Sequence, residues 1–126
     1  TVDELEEIHK RKTGALIQAA LRIGAIIGGA SAEAIGALSE YGAGIGLAFQ
    51  IIDDLLDIQA DPKVLGKNVG SDVKKKKATY ATIFGPQKAY RLAEAEIKKA
   101  KEALGTFGED ASDLLQLADF LLEREY

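Results

Sequence analysis

Leu5, Ile8, Leu16, Ala20, Ile23 and Ile27 recur near helical spacing, and the pattern predicts a helix from Val2 to Ile27. Asp3, Glu4, Glu6 and Glu7 place negative charge at its start, where the helix dipole is positive. From Leu16 to Ala30 the chain is almost wholly apolar, but Gln18 and Arg22 interrupt a run too short to span a bilayer. It reads as a buried helix. Gly28-Gly29 ends it, and Ser31 is placed to cap a second helix from Ala32 to about Gln59. The middle of that helix, Tyr41 to Gly46, holds three glycines. Each costs about 1 kcal/mol against alanine, so they imply either close helix packing or room left for a ligand.

The pattern then breaks. Pro62 opens an irregular stretch to Lys77, and a short helix is expected from Ala78 to Phe84. Gly85-Pro86 interrupts the chain, with Pro86 suited to the first turn of an amphipathic helix from Pro86 to Leu104. Gly105 and Gly108 flank a turn, and a last helix is expected from about Asp110 to Arg124. Strand signals are weak throughout. The expectation is an all-α helical bundle with a single domain over residues 1–126.

Composition narrows this only a little. The chain has 126 residues, 47% apolar and 29% charged, which suits one modest globular domain. A net charge of −4 speaks against nucleic acid as partner. Cysteine is absent, so no disulfide or thiolate metal site can form. No signal peptide is visible, and a cytoplasmic location is expected. Methionine is also absent, even at position 1, which fits a piece of a longer chain.

The chemistry lies in FQIIDDLLDIQAD, Phe49 to Asp61. On a helix turning about 100° per residue with Asp53 at the origin, Asp54 lies at about 100°, Asp57 at about 40°, Asp61 at about 80° and Gln50 at about 60°. Ile51, Ile52, Leu55, Leu56 and Ile58 fill the arc from about 140° to 300°. The helix therefore has a wide apolar face and a narrow face of carboxylates and one amide. Gly42 and Gly46 continue the narrow face upward, like the wall of a cavity. Carboxylates three and four positions apart repel one another by a few tenths of a kcal/mol. Water on a plain solvated face can offset this, and so can a hard divalent cation. An aspartate-only set suits magnesium, which takes one or two carboxylates together with substrate phosphates, better than zinc. A diphosphate also needs fixed cations. Five lysines, Lys67 and Lys74 to Lys77, reverse the local sign of an acidic chain. Lys74, Lys75 and Lys76 read as solvated surface. Lys67, between Gly66 and Gly70, reads equally well as solvated or functional. His9-Lys10-Arg11-Lys12-Thr13-Gly14 is, taken alone, a basic helix turn.

Together these segments resemble a known family. FQIIDDLLDI is similar to the second aspartate-rich motif of the trans-isoprenyl diphosphate synthases, LGKNVGSDVKKKKATY to the GKxxGxDxxxxK segment that follows it, and IHKRKTGAL to the KT motif of an earlier helix. The order and spacing agree, and ADFLLEREY resembles the tail of bacterial farnesyl and geranylgeranyl diphosphate synthases. The resemblance covers essentially the whole chain and implies the C-terminal part of the isoprenoid synthase fold. It implies a prenyltransferase that condenses isopentenyl diphosphate with an allylic diphosphate using Mg2+. Asp53, Asp54 and Asp57 match the metal-binding carboxylates. Lys12, Lys67 and Lys77 match the lysines that grip the allylic diphosphate. Thr13, Gln50 and the Lys12 carbonyl match dipoles facing the allylic cation. Phe49 matches an aromatic on the side of the homoallylic substrate, and Asp72 a residue that orders the lysine loop.

The departures from the family are large. A first aspartate-rich motif, the N-terminal cations for isopentenyl diphosphate and the residues that set product length have no counterpart in the 126 residues. The chain is therefore expected to be the C-terminal half of a synthase, inactive alone, and to self-associate, as a dimer for example, through helix faces left uncovered. Two other readings stay open: a terpene-cyclase-like prenyl-binding domain, and a non-catalytic regulatory subunit of a prenyl synthase.

Overall fold

The computed structural model describes residues 2–59 and 83–124. Helix α1 spans Val2–Ile27, α2 Ala32–Gln59, α3 Pro86–Ala103 and α4 Ser112–Glu123, with a 3-10 segment at Gly105–Ala111 before α4. Among the described residues there is no strand, as the all-α expectation requires. The irregular stretch 62–77 lies outside the described residues. Of the expected helix 78–84 only Ile83 and Phe84 are described, and both are helical.

The α1–α2 connection follows local chemistry. Gly29 adopts φ 75°, which a Cβ would penalise. That turn lets the Gly29 N–H donate to the Ile26 carbonyl at 3.0 Å and the Ala30 N–H to the Ala25 carbonyl at 2.9 Å. The two bonds satisfy carbonyls that the end of α1 would otherwise leave open. Ser31 Oγ then accepts from the Ala34 N–H at 3.1 Å and caps α2. At the other end of the chain the expected helix from Asp110 is corrected. Gly108, at φ 60° and ψ −137°, breaks the 3-10 segment, and α-helix begins only at Ser112.

The core forms where α2 lies against α3 and α4. Tyr41, Ile45, Ala48, Ile51, Ile52, Leu55 and Leu56 of α2 are buried with Ala89, Ala93, Ile97 and Ala100 of α3 and Ala118 and Leu121 of α4. Ile51, Ile52, Leu55 and Leu56 of the predicted apolar arc are thus buried, and the Ile58 side chain lies outside the described ones. Gly44 is what lets α3 come close: a Cβ there would stand 2.9 Å from the Glu96 carbonyl oxygen and 3.0 Å from Ala100 Cβ. The Tyr41 hydroxyl donates to the Leu114 carbonyl at 2.7 Å and ties α2 to α4. One described helix segment, Ala32–Asp57, is long and apolar enough to cross a membrane. Its apolar arc is the face packed in this core.

The reading of α1 needs correction. Leu16 is 71% and Ile27 82% exposed, and Ile8, Ile23 and Ile26 are exposed as well. The helix buries the neighbouring stripe instead: Ala25 is buried, and Ile17 and Leu21 pack on the core. Both stripes have helical spacing, so periodicity alone could not choose between them. The choice is made by α2, whose two glycines facing α1 accept Gly14, Gln18 and Leu21 at close range.

Candidate active site

Glycines place α1 against the acidic helix. A Cβ on Gly46 would lie 3.4 Å from Gly14 Cα, and one on Gly42 would lie 2.9 Å from Leu21 Cδ1 and 3.1 Å from Gln18 Cγ. Gln18 Nε2 donates to the Ser39 carbonyl at 3.1 Å. Positions rise along α1 as they fall along α2, so the two helices run antiparallel. The glycine strip above the carboxylates is therefore filled by α1. It is a packing surface and not the bare cavity wall expected from the sequence.

This register sets the KT turn beside the acidic segment. Lys12 stands level with Ala48, and at 1.5 Å per residue it lies about 3 Å along the axis from Gln50 and about 8 Å from Asp53. Lys12 is exposed and Thr13 half-buried. Phe49, Gln50, Asp53, Asp54 and Asp57 are all half-buried, at the edge of the core and not in open solvent. Lys67, Lys77, Asp61 and Asp72 lie outside the described residues.

One residue at this site was given no role by the sequence, although it lies in the family-like tail ADFLLEREY. Arg124, just past the end of α4, donates from Nη2 to Asp53 Oδ1 at 2.8 Å. Its guanidinium also stacks over the Phe49 ring, 4.6 Å from the centroid. Arg124 and Asp53 are 71 positions apart, and only the fold could join them. Phe49 and Asp53 are one turn apart on α2, so a single guanidinium covers both.

The donors suit a hard divalent cation, since carboxylate oxygens are what magnesium prefers. Among the described residues no three acidic or histidine groups converge into a cage.

A bundle in which one helix presents half-buried carboxylates beside the lysine-bearing turn of an antiparallel neighbour has the build of the all-α isoprenoid synthase fold. The solved farnesyl/geranylfarnesyl diphosphate synthase of Zymomonas mobilis, in its apo form, superposes on 87% of this chain with a TM-score of 0.72 and 35% identity, over 34% of its own length. Residues 1–120 match the polyprenyl synthetase family, and the chain belongs to it. It is 42% identical over 124 residues to a geranylgeranyl diphosphate synthase of Cyanophora paradoxa, covering 98% of this chain and 41% of that relative. It is 42% identical over 127 residues to the farnesyl diphosphate synthase of Escherichia coli, covering 98% of this chain and 42% of that relative. The chain thus spans about two fifths of the length of the relatives it matches.

Proposed function

We propose that this chain is the part of a trans-prenyltransferase that holds the allylic diphosphate, in an enzyme that condenses it with isopentenyl diphosphate to farnesyl or geranylgeranyl diphosphate. The observation that carries this reading is the antiparallel seating of the Lys12–Thr13 turn of α1 beside Gln50 and Asp53 of α2. Lys12 binds a phosphate oxygen, with Lys67 and Lys77 as its partners in that task. Mg2+, held by one or two of the carboxylates Asp53, Asp54 and Asp57 together with diphosphate oxygens and water, would supply Lewis-acid neutralisation of the leaving diphosphate. The Thr13 hydroxyl and the Gln50 amide oxygen face the carbon left electron-poor as the carbon–oxygen bond breaks. Dipoles preset at these two positions would stabilise that charge without having to reorganise. The π electrons of the homoallylic double bond form the new carbon–carbon bond, and loss of a proton to the departed diphosphate restores the alkene. Phe49 lines the side from which the second substrate approaches.

Condensation needs two acidic faces, and the 126 residues contain a single DDxxD. The chain alone is therefore inactive in this proposal and works as a cytoplasmic enzyme only with the remainder of a synthase. The α1 face carrying Leu16, Ile23 and Ile27 is exposed and suits association with that remainder or with a second copy. The test has two arms. Titration calorimetry with geranyl diphosphate should show binding that requires Mg2+ and is lost in Asp53→Ala. Mixing the chain with the portion of the Escherichia coli relative that it does not cover should produce a longer prenyl diphosphate. Binding indifferent to Asp53→Ala would sink the reading. A hydrocarbon product would favour a cyclase, and binding with no product in the mixture a regulatory subunit.

A further inference from the structure

Among the described residues Arg124 is held by Asp53 and Phe49: its contacts are the single 2.8 Å hydrogen bond to Asp53 Oδ1 and the Phe49 ring, while its Nε is buried with no hydrogen-bond partner. Its side chain is 17% exposed, against 39% for Asp53, so the pair is half-withdrawn from water. A guanidinium left with an unmet buried donor has less to lose on leaving than one whose donors are all satisfied. The backbone permits departure as well. Arg124 follows the last residue of α4 at φ −58° and ψ 136°, outside the helix, so its side chain can swing away while Ser112–Glu123 keeps its hydrogen bonds.

We propose that Arg124 is an internal counter-cation for Asp53, which a divalent cation displaces when it binds. This rests on the functional reading above, in which Asp53 is a cation ligand. Two positive centres cannot share one carboxylate edge without strong mutual repulsion. Cation binding at Asp53 is then coupled to release of the C-terminal end of the chain. The coupling is reciprocal: whatever anchors Arg124 on Asp53 weakens the cation, and the cation loosens Arg124. In the cation-free state Arg124 holds the Asp53 carboxylate in position beside Phe49. Arg124 is a positioning residue in this account.

The test uses Mn2+ alone, with free ion counted by electron paramagnetic resonance, on the whole chain. Arg124→Met should bind Mn2+ about three- to tenfold more tightly than the parent, the range expected when a partly buried, hydrogen-bonded competitor is removed. Lys98→Gln, which removes the same charge from an exposed position on α3, should change affinity less than twofold. In the parent protein, nitrogen-15 resonances of the Arg124 guanidinium should shift as Mg2+ is added, and this arm stands even if Arg124→Met does not fold. Unchanged or weaker Mn2+ binding in a folded Arg124→Met overturns the proposal, and so do guanidinium signals that saturating Mg2+ leaves in place. Asp53→Asn separates the two claims. If it abolishes the Mn2+ site while Arg124→Met does not tighten it, only the displacement idea fails. If it leaves Mn2+ binding intact, Asp53 is not a cation ligand and the functional reading falls too.

Discussion

Adding one methyl group to each α2 glycine measures how closely its neighbours approach. Gly36 has nothing within 4 Å of a built Cβ, so Gly36→Ala meets no clash and gains helix propensity, about 1 kcal/mol of stability. Gly46→Ala meets Gly14 Cα at 3.4 Å and Ile17 Cδ1 at 3.8 Å, ordinary contacts, and should retain most of that gain. Gly42→Ala meets Leu21 Cδ1 at 2.9 Å and Gln18 Cγ at 3.1 Å, side-chain atoms that can shift, and Gln18 Cα at an ordinary 3.4 Å. The cost of shifting and the propensity gain should nearly cancel. Gly44→Ala is different in kind. Its Cβ meets the Glu96 carbonyl oxygen at 2.9 Å and Ala100 Cβ at 3.0 Å. A backbone oxygen cannot rotate away, so α2 and α3 must move apart across the centre of the core. Overpacking of this sort costs about 1–3 kcal/mol, and after the propensity gain of about 1 kcal/mol a net loss of up to about 2 kcal/mol remains. Urea unfolding followed by far-UV circular dichroism gives the four midpoints. The expected order of stability is Gly36→Ala, Gly46→Ala, Gly42→Ala, then Gly44→Ala well below the parent. A Gly44→Ala protein as stable as Gly36→Ala would show that α2 and α3 do not meet at this position.

Two further outcomes follow from single observations. The fully buried Tyr41 hydroxyl is pushed up to about 12 by desolvation from its ordinary value of 10.0. The unfolded chain therefore loses this proton first, and the group's contribution is intact below pH 10 and declines as pH rises toward 12, by about 2–3 kcal/mol in all. Tyr41→Phe should cost about 1–2 kcal/mol at pH 7 through its lost bond to Leu114 and should flatten that alkaline decline, checked by urea midpoints at pH 7, 10 and 11. The exposed α1 stripe should drive association, so sedimentation should show weight-average mass rising with concentration, and Leu16→Glu with Ile27→Glu should suppress it. A compact monomer at every concentration would contradict that expectation.

Much of the chain's local architecture was legible in its residues. Val2–Ile27 and Ala32–Gln59 were bounded correctly because their stop and start signals are local. Gly29 supplies the positive φ and Ser31 the side-chain oxygen, and neither depends on what packs nearby. The row of carboxylates was equally visible, since Asp53, Asp54 and Asp57 share a face on any helix that contains them. The turn flanked by Gly105 and Gly108 was legible too, but the 3-10 form of Gly105–Ala111, which defers α4 to Ser112, was not.

What the fold alone decided is which helix meets which, and at what distance. Two stripes of α1 have the same period, and only the depth of the Gly42 and Gly46 surface selects the one that is buried. The same glycines looked like an open wall because a missing side chain reads alike whether a ligand or a helix fills the gap. Arg124 reached Asp53 across 71 positions through the packing of α4 on α2, a relation that no spacing rule encodes. Periodicity and capping act within a few residues and are therefore written along the chain. Close approach and long-range charge pairing depend on the sum of all packing choices, and they exist only once the helices have docked.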